Sequence, residues 1–139
     1  MKGHLSRRKL REHLFKLVYL YAFNVEEDMQ EQVKLYLDGI HDLDDEDRAY
    51  LETTYPDIAV HIPEIDELLN RTAKGWKTNR FASCDLALLR LAVYEMRYTD
   101  HVPEGVAINE AVELAKLYGG DESPSFINGI LGEISRQNS

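Results

Sequence analysis

Six basic side chains crowd the first twenty residues of this chain, Lys2, Arg7, Arg8, Lys9, Arg11 and Lys16, against the single acid Glu12. If the chain is helical from Ser6 onward, Arg7, Arg8 and Arg11 span about 100° of arc beside an apolar stripe. Guanidinium groups carry paired N–H donors in a rigid fork, which suits phosphate oxygens and base edges. The chemistry within reach of this cluster is therefore anion binding. A solvated basic terminus with no ligand is the plainer alternative, and residue types alone go no further than an anionic partner.

Other candidate chemistries fail on spacing. His4, His13, His41, His61 and His101 include no pair four residues apart, so they read as surface or packing residues and no metal is expected. The acidic run from Asp42 through Asp44, Asp45, Glu46 and Asp47 invites a calcium loop, but such a loop starting at Asp42 needs glycine where Asp47 stands and glutamate where Thr53 stands. It reads instead as a solvated loop leading into a helix N-terminus. Cys84 has no histidine within helical reach and reads as a small buried residue. As the single cysteine it allows no intramolecular disulfide and no thiolate metal site within one chain. No phosphate-cradling glycine motif follows Gly119-Gly120 or occurs elsewhere. No catalytic residue, cofactor or metal site is expected.

These side chains need elements to hold them, and the spacing throughout is helical. Leu10, Leu14, Leu17, Val18, Tyr21 and Val25 form one stripe of a helix opened near Ser6. Met29, Val33, Tyr36, Leu37 and Ile40 mark a second helix that stops around Gly39. Asp44 is an N-cap for a third helix carrying Ala49, Tyr50 and Leu51, which Pro56 should kink or break. Pro63 fits the first turn of a fourth, with Ile65, Leu68 and Leu69, running out before Gly75. From about Ser83 to Arg97, Leu86, Leu89, Val93 and Met96 form a stripe that Leu88, Leu91 and Ala92 widen, the mark of a central core helix. Ile108, Ala111, Val112, Ala115 and Tyr118 mark the next helix, with Gly119-Gly120 as a left-handed cap. Ser123-Pro124 opens the last, with Phe126, Ile127, Ile130, Leu131 and Ile134. The expectation is an all-α protein of about seven helices, without linker, repeat or low-complexity segment.

The chain's 139 residues make one domain by size, and its 44% apolar and 29% charged shares are those of an ordinary globular protein. The formal charge of −9 argues against nucleic acid as a partner only while it is treated as an average. Residues 1–20 carry +5, residues 21–67 carry −13, and residues 68–139 carry −1. A polyanion responds to charge within about 8 Å at physiological salt, so the local head matters more than the total. The apolar run Leu14–Phe23 is too short to span a bilayer, is interrupted by Lys16 and lacks a cleavage site. The expected location is the cytoplasm, with no membrane contact.

Three segments resemble one family. Arg7-Arg8-Lys9-Leu10-Arg11-Glu12, followed by Phe15 and Tyr19, is similar to the Arg-rich opening helix of the NusB family of bacterial transcription antitermination factors. Asp85 through Met96 is similar to that family's central helix. Val102-Pro103, Val106 through Lys116 and Gly119 through Leu131 are similar to its C-terminal block, which is long and specific. Residues 26–75 agree in helical pattern alone.

The resemblance implies one RNA-binding domain over residues 1–139, of two small three-helix subbundles, and a non-enzymatic role. Family members bind the boxA element of nascent ribosomal RNA together with NusE, a small-subunit ribosomal protein, and seed an antitermination complex on RNA polymerase. On this basis RNA contacts are expected at Arg7, Arg8, Lys9, Arg11, Glu122, Ser123 and Phe126, and NusE contacts at Tyr19, Phe23 and Asp85. Phe126 could offer a ring to a base beside helix N–H groups. Core packing is the competing role for Phe126, Tyr19 and Phe23, and a helix-terminal charge for Asp85. Ser125 stands where the family often has lysine, which with the −13 middle implies weak RNA binding alone and dependence on the partner. A pure protein-interaction module and a relative of the NusB-like domain of ribosomal RNA cytosine methyltransferases are the alternatives; the latter lacks room for a cofactor domain. Homodimerisation stays open.

Overall fold

The computed structural model describes residues 4–24, 26–41, 43–73 and 81–137; Lys2, Val25, Asp42 and Gly75 lie outside these. Among the described residues there are six α-helices and no strand: α1 (Arg7–Tyr21), α2 (Glu26–Asp38), α3 (Asp45–Thr72), α4 (Ser83–Tyr98), α5 (Glu104–Tyr118) and α6 (Ser123–Gln137). The chain divides into two compact units, Met1–Val60 and His61–Ser139, and the division falls inside α3.

In the first unit, Ser6 caps α1 by accepting the Lys9 N–H at 3.1 Å. Leu14, Phe15, Leu17 and Val18 are buried, with Met29 and Leu37 of α2. The Gly39 N–H donates to the Leu35 and Tyr36 carbonyls as α2 ends. Asp44 caps α3 as its position implies, accepting the Asp47 N–H at 2.8 Å on Oδ1.

The helices expected on either side of Pro56 are one. α3 runs for 28 residues through both Pro56 and Pro63. Each proline removes one backbone hydrogen bond and crowds the preceding turn, at about 3 kcal/mol relative to alanine. Against this, Leu51, Tyr55, Ile58, Ile62, Ile65 and Leu69 are all buried, at alternating intervals of four and three residues that keep one stripe in phase throughout. Burying each such side chain is worth about 1.5–3 kcal/mol, so the stripe outweighs both prolines. The prolines are seven residues apart and both exposed, on the face where a lost N–H bond meets solvent.

In the second unit, every residue of α4 from Asp85 through Met96 is buried, as expected of a central helix. Arg90 is held by α3, donating to Asp66 through Nε at 2.9 Å and a terminal nitrogen at 2.7 Å. α5 packs on α4 and α6, burying Leu114 together with Ala107, Ala111 and Ala115, small residues that permit close approach. Ile127, Ile130, Leu131 and Ile134 complete the core. The link between α5 and α6 departs from expectation. Gly119 is extended (φ −96°, ψ −176°) and not left-handed. It must be glycine because a Cβ there would lie 2.6 Å from the Cβ of Ser123.

Because Pro56 is exposed and its stripe is already satisfied, Pro56→Ala is expected to stabilise the protein by about 2 kcal/mol, once the greater freedom of the unfolded chain is set against the gain. Urea unfolding measures this, and an unchanged or lower midpoint would show that α3 is not strained there.

Candidate nucleic-acid interface

The basic head is built from a capped helix start and an acidic anchor. Arg7, Arg8 and Lys9 occupy the first turn of α1 and are exposed, and no acid shares that turn. The helix dipole and these side chains therefore present positive charge together. Lys9 Nζ donates to Glu12 Oε1 at 2.8 Å. Arg11 is different: it lies on the same side one turn farther along, where packing has begun, and is 8% exposed. The outward basic face is thus Arg7, Arg8 and Lys9, with Arg11 packed behind it.

The extended residues before α1 are tied to the start of α3. The Leu5 N–H donates to Asp47 Oδ2 at 2.7 Å. His4 Nδ1 lies 2.7 Å from Asp44 Oδ2 and 4.0 Å from Asp47 Oδ1, and its Nε2 lies 3.5 Å from Glu46. Part of the acidic run therefore positions the basic head. Sequence spacing missed this role of His4 because its partners lie some forty residues away. His4, Asp44 and Asp47 each offer one ligand atom within 4.8 Å of the others. Their carboxylates' other oxygens are taken by the Asp47 and Leu5 N–H groups. These contacts account for the cluster as an anchor.

Beneath the basic face, His13 is buried and its Nδ1 pairs with the Tyr36 hydroxyl of α2 at 2.6 Å. Burial, then the positive charges of Lys9 and Lys16, hold its pKa below the ordinary 6.5. Farther along α1, Phe15 is buried, Tyr19 is 37% exposed and Phe23 59% exposed. Their ring centroids are 6.3 Å and 5.0 Å apart in succession. Core packing thus holds Phe15, while Tyr19 and Phe23 form an exposed aromatic pair. Asn24 closes this end by donating to the Leu20 carbonyl at 2.9 Å.

The second unit brings Asp85 together with Glu122, Ser123 and Phe126 around a concavity of about 580 Å³, also lined by Phe81 and Asp121. Phe81 meets Phe126 edge to face at 5.3 Å and 86°. Phe126 is half-buried. Ser123 does not cap α6: its Oγ accepts the Gly120 N–H at 3.0 Å, and its own N–H donates to the Gly120 carbonyl. Asp85 is 8% exposed, and its Oδ1 has no hydrogen-bond partner among the described residues. Cys84 is half-buried, and burial followed by the Asp85 charge pushes its thiol pKa up, which keeps it protonated and unsuited to nucleophilic work.

Comparison with known proteins gives one consistent result. The model of the NusB family matches residues 8–136. The transcription antitermination protein NusB of Agathobacter rectalis is 44% identical over 94% of this chain and all of its own length. T. maritima NusB shares the fold with a TM-score of 0.87 and 31% identity, covering 97% of this chain and 94% of that one. A chain from the crystal structure of antitermination factors NusB and NusE in complex with dsRNA has a TM-score of 0.76 at 23% identity, covering 94% and 96%.

The His13 environment carries a pH prediction. A depressed folded pKa means that the neutral ring stabilises the fold fully above pH 6.5, and that this stability is lost as pH falls below that value. Melting temperature is expected to fall between about pH 7.5 and about pH 5.5, and to fall less in His13→Gln. Equal slopes in both proteins would refute the role given to His13.

Proposed function

The chain belongs to the NusB family, and from that premise we propose that it is a non-enzymatic transcription antitermination factor that grips boxA-type single-stranded RNA through the outward face of α1 and works with NusE. The observation that carries this reading is the placement of Arg7, Arg8 and Lys9, exposed on the first turn of a capped helix that carries no acidic residue in that turn. RNA backbones are held by arginine and lysine, and affinity follows the number of phosphates neutralised. The same fold accompanies NusE and RNA in a solved complex.

The remaining charge fits a short, local grip. With Asp44, Asp47 and Glu46 engaged by the N-terminal segment, the −13 middle holds the basic face in place and repels RNA elsewhere. Affinity for RNA alone is then low, and the partner supplies the rest through Tyr19 and Phe23, whose exposure suits a protein contact. The resulting pair would enter the antitermination complex on RNA polymerase. The cytoplasm is the corresponding location, and among the described residues no helix is long and apolar enough to cross a membrane.

Two measurements test the halves separately. Replacing Arg7 and Arg8 together by alanine is expected to weaken binding of boxA-like RNA and to reduce the log–log salt slope by about 1.4, or roughly 0.7 per lost phosphate contact. Anisotropy at several salt concentrations reads both, and unchanged affinity and slope would exclude this face. Phe23→Ala is expected to change folding stability by less than about 0.5 kcal/mol, since the side chain is largely exposed. NusE affinity measured by calorimetry should fall about tenfold; undiminished affinity would remove Phe23 from the partner surface.

A further inference from the structure

We propose that the elongated cavity between α2 and α3 binds an amphipathic monocarboxylate, with a medium-chain aliphatic body lying along the groove and the carboxylate held by Lys34 and Arg48. This goes beyond the proposed function and does not rest on it. The site shares no residue with the basic face of α1 or with the Tyr19–Phe23 pair.

The cavity encloses about 580 Å³, within the range of roughly 300–1,000 Å³ that holds small ligands. Every described residue lining it belongs to the first unit. Tyr21, Met29, Val33, Tyr55 and Pro56 give it a largely apolar lining drawn from three helices, and Met29 and Tyr55 are buried. Val60, which lines it as well, is 73% exposed. An exposed valine bordering buried apolar side chains leaves surface that an apolar ligand would remove from water.

Charge selects the ligand's head. Residues 21–67 hold fifteen acids and two cations, Lys34 and Arg48, and both cations line this cavity, one from α2 and one from α3. Asp38, one turn beyond Lys34 on α2, accepts from an Arg48 terminal nitrogen at 2.8 Å, which brings the two cations to the same end. Arg48 Nε lies 3.6 Å from Glu52 Oε1, so the guanidinium is oriented from two sides. The side chains of Asp38 and Glu52 are each 50% exposed, and solvated pairs of this kind hold little energy. A guanidinium has five N–H donors, and these two contacts do not use them all.

Along α3 the lining runs from Arg48 to Val60, a rise of about 18 Å, which sets the cationic end apart from the apolar one. A ligand that satisfies both ends is long, apolar for most of its length and anionic at one tip. The surrounding charge keeps that tip small. A phosphate-rich ligand brings several negative charges into a segment of net −13, whereas a carboxylate brings one and draws most of its affinity from the buried chain.

The whole chain, labelled at its methionine methyls, supplies the test by NMR, because Met29 lines the cavity and Met96 is buried in the second unit. Decanoate, titrated below its micelle concentration, is expected to shift the Met29 methyl saturably and to leave Met96 still. Decylammonium has the same length and the opposite charge, and butyrate has the same head and little body. Both are expected to give much smaller shifts at equal concentration. Lys34→Glu reverses one cation and is expected to weaken decanoate about tenfold, with Arg48→Gln acting in the same direction. Lys34 is exposed, so Lys34→Glu is expected to fold as the wild type does, which an unchanged Met96 resonance reports. The proposal is overturned if decanoate leaves Met29 unmoved or moves Met29 and Met96 alike. It is likewise overturned if decylammonium or butyrate acts as strongly, or if Lys34→Glu binds decanoate as the wild type does.

Discussion

The structure depends on one stripe of buried side chains, Leu51 to Leu69 along α3, that stays in phase across two prolines. Two small units each need a wall of apolar side chains, and α3 contributes to both. A break at Pro56 would turn the later half of the stripe out of phase and strand Ile58, Ile62 and Ile65 in water. Several kcal/mol of burial thus keep the helix continuous through residues whose local preference opposes it. The start of α3 then acquires a second task. Its first-turn carboxylate Asp47 and cap Asp44 lie where the N-terminal segment can reach them, and the basic helix follows directly from that segment.

Most of the architecture was legible because helical burial leaves a periodic trace. The Ser6 cap, the Asp44 cap and the apolar α4 were all visible in residue types and spacing. What escaped were competitions that local rules cannot weigh. Pro56 is a breaker by local preference, and only the neighbours of Tyr55, Ile58 and Ile62 in three dimensions reverse that. Gly119-Gly120 has the residue types of a left-handed cap, yet the contact with Ser123 is what excludes a side chain at Gly119. The seven-helix pattern and the six helices among the described residues differ by this single junction in α3.

The site was legible in type and less so in exposure. Arg7, Arg8 and Arg11 share a face by angle, but distance along the helix separates the two exposed guanidiniums from the buried one. Tyr19 and Phe23 have the spacing of core residues, and only the end of the α1 packing leaves them outside. His4 carried no local signal at all. Asp85 was expected to meet a partner, but its company with Glu122, Ser123 and Phe126 could not be read from a sequence in which those residues stand nearly forty positions away.

The hydrogen bond from Leu5 to Asp47 joins residues 42 positions apart in a molecule otherwise dominated by local helical contacts. Closing so long a loop costs more chain entropy than forming the turns of α1, so α1 can form before its tether does. During synthesis the Arg-rich helix leaves the ribosome well ahead of the carboxylates that orient its leading segment. A nascent chain therefore displays basic charge before it has a defined basic face, and acquires one only when the start of α3 arrives. Order of synthesis thus separates the appearance of basic charge from the appearance of a defined basic face.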